Sequence, residues 1–352
     1  MITRASALEL FERAALDAAA ACFGTTRDDL RVLPGSEGCQ NLVYAYDVDG
    51  IPMILRASFR PDRGPEQIRA EVHFVDYLAR SGVRVAYPVP SRPGNLMETF
   101  RCGEILFTVV SFIRGRGMRV PDNGYRYRDD APIEEYFRNW GEVLGQMHRC
   151  AKSYVPAEGG GRRPDLMEIL DFEPVDERVP APLQGVREKV VALSSELRAL
   201  PRDRDGHGLI HGDFNDGNFT VDYSNGDITV FDFDDCCYGW FAYELAAAWE
   251  GGVGRVMFRG LAERKAFMDR YFALVLEGYE RENTLSEAWL ARLPLFLRVI
   301  QMQELLYYLR YFDDPDDEIQ AGLRYKIRCV EDDIPYLGFF DPIYSPERPF
   351  CL

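Results

Sequence analysis

The chain has 352 residues, 47% of them hydrophobic and 13% aromatic, enough for a sizeable core spread over two domains or lobes; this composition excludes a disordered chain. Its 57 acidic residues outnumber 41 basic ones, and the formal charge of -16 repels nucleic acid and favours cationic partners. No apolar run approaches the roughly 20 residues that span a bilayer, so neither nucleic acid nor a membrane is an expected partner.

The opening stretch, MITRASALELFERAALDAAAACF, reads as one amphipathic helix. It carries acids and lacks the basic-then-apolar layout of a signal peptide, so a cytoplasmic location is expected. Segments 28–33, 41–48 and 51–59 alternate like strands, with turn residues between them. Segment 65–80 then shows helical spacing, with Ile68, Val72, Val75, Leu78 and Ala79 on one face. Two more strands are expected at 94–99 and 104–112.

The character changes at Gly115-Arg116-Gly117. PDNGYRYRDDAP reads as a surface loop, 133–151 as a helix with Trp140, Val143, Leu144 and Met147 on one side, and AEGGGRRPD as a glycine-rich loop. Helical patterns dominate from Tyr238 onward. The pattern is α+β: a small antiparallel β lobe with one internal helix over 1–113, and a larger, mainly helical lobe over 114–352 holding one hairpin. Eight cysteines stand at 22, 39, 102, 150, 236, 237, 329 and 351 with no C-x-x-C, so zinc-ribbon and thioredoxin readings have no support. The vicinal Cys236-Cys237 reads as two small apolar residues beside a site.

That site is LIHGDFNDGNFTVDYSNGDITVFDFDD, residues 209–235, where acids are crowded between strand-like apolar runs. Asp213 precedes Asn218 by five residues, and Asp232 follows fourteen later, past the turn Ser224-Asn225-Gly226-Asp227. A hairpin there returns Asp232 towards Asn218. One carboxylate and one amide oxygen suit Mg²⁺, a hard cation that prefers oxygen ligands. Asp213 is then placed to accept a proton from an incoming hydroxyl. This is the layout of phosphoryl transfer, which needs metal on the phosphates and a carboxylate on the nucleophile.

HGDFNDGN, followed by VFDFDDCCYGWFAYELA, resembles the aminoglycoside phosphotransferase and choline kinase family, whose fold is similar to that of protein kinases. The family's H-x-D-x-x-x-x-N motif corresponds to His211–Asn218, and its counterpart of the D-F-G aspartate to Asp232. The resemblance implies Asp213 as catalytic base and Asn218 and Asp232 as Mg²⁺ ligands. Gly239 to Ala246 represents the family's G-x-x-x-x-D-L-A element, with Glu244 where Asp is usual. In the first lobe, Arg56 in Ile54-Leu55-Arg56 matches the strand cation that contacts nucleotide phosphates, and Glu71 matches its helical partner. The segment Pro34 to Asn41, with Ser36 and Gly38, falls where a loop covers the triphosphate; Val110, Ser111 and Ile113 match the hinge that holds the purine. ATP is the implied co-substrate, and GTP stays open.

The family's acceptors are small hydroxyl compounds, most of them amines, so a small cationic or zwitterionic alcohol is the expected partner. The HGDFNDGN string resembles hydroxylysine kinases more than the drug-resistance enzymes. Candidate acceptor surfaces are Asp216, the acids at 313–318 and 331–333, and a cation–π wall of Trp240, Trp249, Tyr307 and Tyr308, with core packing as the plainer role for these aromatics. His211 reads as an orienting histidine, His148 as a packing one, and Asp234 and Asp235 as solvated turn acids, with contact to a second Mg²⁺ or to a substrate as the alternative. Two other readings remain open at this point: a protein Ser/Thr kinase, weakened by the lack of an A-P-E element, and a nucleotide-binding pseudokinase, weakened by the intact Asp213, Asn218 and Asp232. Oligomeric state is unknown.

Overall fold

Period-two alternation of apolar residues across 42–58 and 105–113 builds an antiparallel sheet, and the helical spacing of 65–80 packs a helix on one of its faces. The computed structural model describes residues 3–33, 41–60, 62–157, 159–170, 172–253, 255–256, 259–311 and 317–334. In chain order the elements are helices α1 (Arg4–Ala14) and α2 (Leu16–Cys22), strands β1 (Arg31–Val32), β2 (Leu42–Val48) and β3 (Ile51–Ser58), helix α3 (Pro65–Arg80), and strands β4 (Tyr87–Val89), β5 (Glu98–Cys102) and β6 (Ile105–Ile113). Next come helices α4 (Ile133–Ala151), α5 (Leu166–Leu170), α6 (Val175–Arg178) and α7 (Gln184–Arg198), then strands β7 (His207–Ile210), β8 (Phe219–Val221), β9 (Ile228–Val230) and β10 (Cys237–Trp240). Helices α8 (Phe241–Val253), α9 (Leu261–Glu280), α10 (Glu287–Leu290), α11 (Leu293–Tyr311) and α12 (Asp317–Glu331) follow. Among the described residues no helix is long and apolar enough to cross a membrane.

These elements fall into two compact units. The first gathers the described residues of Met1–Arg119, Ser153–Arg163 and Phe219–Asp234; the second gathers those of Val120–Lys152, Pro164–Asn218 and Asp235–Leu352. The first unit holds the sheet, in the order β1-β2-β3-β6-β4 with β5 also on β6, and every pairing is antiparallel. Phe107 and Val109 of β6 join Phe11, Leu42 and Leu55 in one core; Val110 and Phe112, turned the other way, join Ile68 and Val72 of α3 in a second. The expected single N-terminal helix is two, broken at Ala15, whose φ of -134° is not helical. The break lets Ala7, Phe11, Leu16 and Ala19 all reach the same core.

Segment 28–33 is a strand only at its end. Thr26 donates through its N–H (3.3 Å) and hydroxyl (2.6 Å) to the Asp29 carboxylate, and this local capping closes a 3₁₀ turn over Arg27–Asp29 before β1 starts. The strand expected at 94–99 begins only at Glu98, because Ser91 to Asn95 forms a turn closed by the Ser91 N–H donating to the Asn95 carbonyl at 2.8 Å. β4 and β10 were not expected; three or four residues leave no periodicity to read, and Pro88 argues against a strand.

The β8–β9 hairpin belongs to the first unit. It attaches through bridges from Val230 to Val85 and from Val221 to Met118. Gly115 and Gly117 make this seam possible: a Cβ on Gly115 would lie 2.5 Å from the Thr220 hydroxyl, and one on Gly117, at φ +81°, would lie 1.7 Å from the Val221 carbonyl. In the second unit, α4 and α9 pack at backbone distance through Gly141 and Gly278, while β7 pairs β10 with Gly208 opposite Gly239.

Candidate active site

In the first unit, β3 places Arg56 opposite Val110 of β6, on the α3 side of the sheet. α3 brings Glu71 to it, one turn beyond Ile68. The pair is closed twice, Arg56 Nη1 to Glu71 Oε1 at 2.8 Å and Nη2 to Oε2 at 3.0 Å, with the guanidinium 5.3 Å over the Phe112 ring. Both side chains are buried. Burial works against the Arg56 charge, but Glu71, Asp234 and Asp232 outweigh it and raise its pKa above the ordinary value.

Asp234 corrects the sequence reading. Rather than a solvated turn acid it is 8% exposed, with its Oδ1 3.0 Å from Arg56 Nη1 and its Oδ2 accepting from Asn41 Nδ2 at 2.6 Å, 3.4 Å from Arg63. Burial pushes its carboxyl up, yet the arginines and Asn41 hold it below the ordinary range. Asp232, two residues earlier, is exposed and left-handed at φ +63°, a conformation tolerated better by Asp than by most residues. Val110 is core, and the Ser111 hydroxyl lies 2.6 Å from the Tyr46 hydroxyl and donates to the Ile54 carbonyl. Those two side chains are thus committed inward, while Ser111 and Ile113 have ladder partners in both β3 and β4. Ser36 and Gly38 lie outside the described residues.

In the second unit, β7 ends at Ile210 and the chain turns through Gly212 at φ +86°, where a Cβ would lie 2.2 Å from the Asp235 carbonyl. Asp213 follows. Its Oδ1 accepts from Asn215 Nδ2 and its Oδ2 from Asn218 Nδ2, both at 2.8 Å; Asn218 also donates to the Asp213 carbonyl at 2.8 Å. Asn218 therefore spends its amide nitrogen on Asp213. The Asp213 residue is exposed as a whole, but neighbouring protein strips hydration from its carboxyl. That raises its pKa, Asp235 adds to the rise, and His211, Asn218 and Asn215 oppose it.

The loop is braced from beneath. Glu244 Oε1 accepts the Gly212 N–H at 2.7 Å, and its Oε2 meets His148 Nε2 at 2.8 Å. His148 Nδ1 meets the Tyr279 hydroxyl at 2.9 Å, and Asn283 donates to that hydroxyl at 2.6 Å. All are buried. Burial lowers the His148 pKa, so the ring is neutral; burial raises that of Glu244, but His148, His211 and the Gly212 N–H outweigh it and keep the carboxylate ionised. The substituted acid at position 244 thus braces the loop. His148 is a link in this chain and not mere packing. His211 is buried, and the Asp213 N–H donates to its Nδ1 at 3.3 Å, an orienting contact as expected.

Several polar residues near this loop gave no motif. Asp216 bridges Arg255 at 3.0 Å, and the Arg255 guanidinium lies 5.1–5.7 Å over the rings of Tyr136, Tyr125 and Phe137. On α8, half-buried Glu250 feels the charges of Glu304, Lys326 and Asp213, and burial first, then Glu304, pushes its carboxyl up to about 7. Lys326, itself buried, is 2.6 Å from Glu304 and 4.8 Å over the Tyr308 ring. The available signal was two acids, Glu244 and Glu250, inside an otherwise apolar helix, FAYELAAAWEGGV, since a charge in such a setting needs a purpose. Of the proposed cation–π wall, Trp240 and Trp249 are core, whereas Tyr307 is exposed. Acids 313–316 lie outside the described residues, Asp332 and Asp333 are exposed, and Cys236 and Cys237 are buried as expected.

The model of the phosphotransferase enzyme family matches residues 31–285. Amicoumacin kinase of Bacillus subtilis (strain 168) is 30% identical over 339 residues, which cover 93% of this chain and 94% of that protein. Homoserine kinase of Rhodospirillum rubrum is 28% identical over 280 residues, 79% of each. Among solved structures, amicoumacin kinase hAmiN in complex with AMP-PNP, Ca²⁺ and Ami superposes with a TM-score of 0.82 at 25% identity, covering 96% of this chain and 98% of that one. A microcompartment-associated aminopropanol kinase shares the fold, with a TM-score of 0.68 at 24% identity over 91% and 98% of the two chains.

Proposed function

The chain belongs to the phosphotransferase enzyme family, and from that premise we propose that it transfers the γ-phosphoryl group of ATP, or of GTP, to a hydroxyl of a small amine-bearing molecule. One observation carries the reading: Asp213 presents an exposed carboxylate, held by Asn215 and Asn218, on a loop fixed by the buried Glu244–His148 pair. A carboxylate fixed in this way orients the acceptor hydroxyl and takes its proton as oxygen attacks the γ-phosphorus and the bond to the β-phosphate breaks. Arg56, aligned by Glu71, meets the phosphates with a fork of donors. Ser36 and Gly38 would meet the triphosphate; the backbone of Ser111 and Ile113, paired within the sheet on both sides, is not available to a purine, so the hinge expected there is not supported.

Asn218 and Asp232 would hold Mg²⁺. The donor set fits, since an amide oxygen and an exposed carboxylate are hard ligands. Bound there, the ion neutralises charge on the phosphates. The nucleotide analogue and divalent cation in the hAmiN complex support both requirements.

An amine on the acceptor is supported by the acids beside Asp213. Glu250 and Glu304 interact with each other and Glu250 with Asp213, so the region is short of positive charge despite Lys326. A cationic amine supplies it. The relatives named for amicoumacin and aminopropanol point the same way. The test is ADP release with a panel of amino alcohols, hydroxy amino acids and amine-bearing antibiotics, each beside its deaminated counterpart. Turnover is expected with amines only. Equal turnover of the deaminated alcohols, or phosphate transfer confined to protein, would remove this reading.

A further inference from the structure

Four separate stretches of the first unit meet at one residue, Asp234. Asn41 at the start of β2, Arg56 on β3 and Arg63 ahead of α3 meet the side chain of Asp234. Arg163 donates to its backbone carbonyl and, through the other nitrogen, to the Gln67 carbonyl at 3.2 Å. Asp234 is therefore a tie point for Arg56, whose own donors can be counted. A guanidinium has five N–H groups. Nη2 donates to Glu71 Oε2, and Nη1 is committed as an ion pair to Glu71 Oε1 at 2.8 Å and to Asp234 Oδ1 at 3.0 Å. What remains is the Nε–H and one hydrogen of Nη2, which lie along a single edge. Nε has no partner, although the residue is only 6% exposed. The Phe112 ring, 5.3 Å away, fixes the plane from one face. An ammonium group is a point charge without a plane, and two carboxylates could not aim it in this way.

We propose that Asp234 is a positioning residue for the nucleotide: with Glu71 it fixes the guanidinium plane of Arg56, so that the Nε/Nη2 edge is the one presented to the phosphates. This rests on the phosphate-binding reading of Arg56. It gives a reason for arginine and not lysine at position 56, and for an acid as the third residue of Asp232-Phe233-Asp234.

The test is steady-state kinetics at saturating Mg²⁺. Asp234→Asn is expected to raise the nucleotide KM about tenfold, with the acceptor KM unchanged and kcat within about threefold. A purely structural role would instead scale kcat with the folded fraction and leave both KM values alone. Arg56→Lys is expected to be no better than Arg56→Gln. Asn41→Ala, which removes the shortest side-chain partner of Asp234 without changing charge, is the second variant should Asp234→Asn not fold; a smaller rise in the same KM is expected. A nucleotide KM that is unchanged or lowered in both Asp234→Asn and Asn41→Ala overturns the proposal, as does a changed Mg²⁺ requirement at constant nucleotide KM, which would give Asp234 to the metal. If Arg56→Gln itself leaves the nucleotide KM unchanged, the phosphate-binding reading of Arg56 falls as well; if Arg56→Gln raises it and Asp234→Asn does not, only the present inference falls.

Discussion

The two units brace their functional groups by opposite means. Around Arg56 the first unit uses charge: two carboxylates share one guanidinium, and a further arginine, Arg63, shares one of the carboxylates. Around Asp213 the second unit uses a single file, Gly212 to Glu244 to His148 to Tyr279 to Asn283, with only one formal charge in it. A shared charge cluster has redundancy, because each member keeps another partner when one is lost. A single file has none: removing a link strands buried donors on both sides. The second unit should therefore be the more brittle of the two.

The largest expected effect breaks the chemistry itself. Asp213→Asn should lower kcat by about 10²–10⁴-fold, the range for general-base loss, while calorimetry still detects nucleotide binding; near-normal turnover would take the role of base away from Asp213. Because the Asp213 pKa is raised, the acid limb of kcat/KM should lie above the ordinary carboxylate value of about 3.9. Asn215→Ala removes an amide that opposes the rise and should move that limb further up.

The brittleness itself is tested at Glu244. Glu244→Ala leaves the Gly212 N–H and the His148 ring without their acceptor and should cost about 3 kcal/mol in denaturant unfolding. Glu244→Asp is one methylene short of serving both partners and should cost about 1 kcal/mol with a partial loss of kcat. A loss at Glu244→Ala no larger than that at Asn41→Ala, in the charge cluster, would reverse the comparison. Glu250 offers a smaller and pH-dependent effect. Its folded pKa of about 7 exceeds the ordinary 4.5, so the stabilisation it provides is full below pH 4.5 and lost as pH rises through 7. Glu250→Gln should therefore melt higher than the parent at pH 8, with the gain vanishing near pH 4.5; melting curves at both pH values check this. The smallest effect is expected where ions face water. Arg281 bridges Glu142 at 3.1 Å and Glu277 at 3.3 Å with its side chain 47% exposed, and Arg281→Ala should change stability by less than about 0.5 kcal/mol.

What could be read in advance follows the range of the signal. α3 and α4 were legible from end to end, since each has an amphipathic face long enough to count. Arg56 and Glu71 were legible because a strand and the next helix carry them, and Asp213 and Asn218 because one loop holds both. Asp234 was not: an acid between two aspartates looks like a turn, and its burial depends on arginines 71 and 171 residues away in the chain. Arg255 and Lys326 likewise acquire meaning only from side chains on other helices. β10 escaped because its four residues, with Gly239 among them, lack any alternation of their own.

The discontinuity of the first unit has a consequence for recombination. A chimera that exchanges only the first 119 residues with a relative would leave behind the segment carrying Asp234, and would separate Arg56 from the carboxylate it pairs with. The interchangeable module is three pieces of chain, and a graft should carry Ser153–Arg163 and Phe219–Asp234 with it.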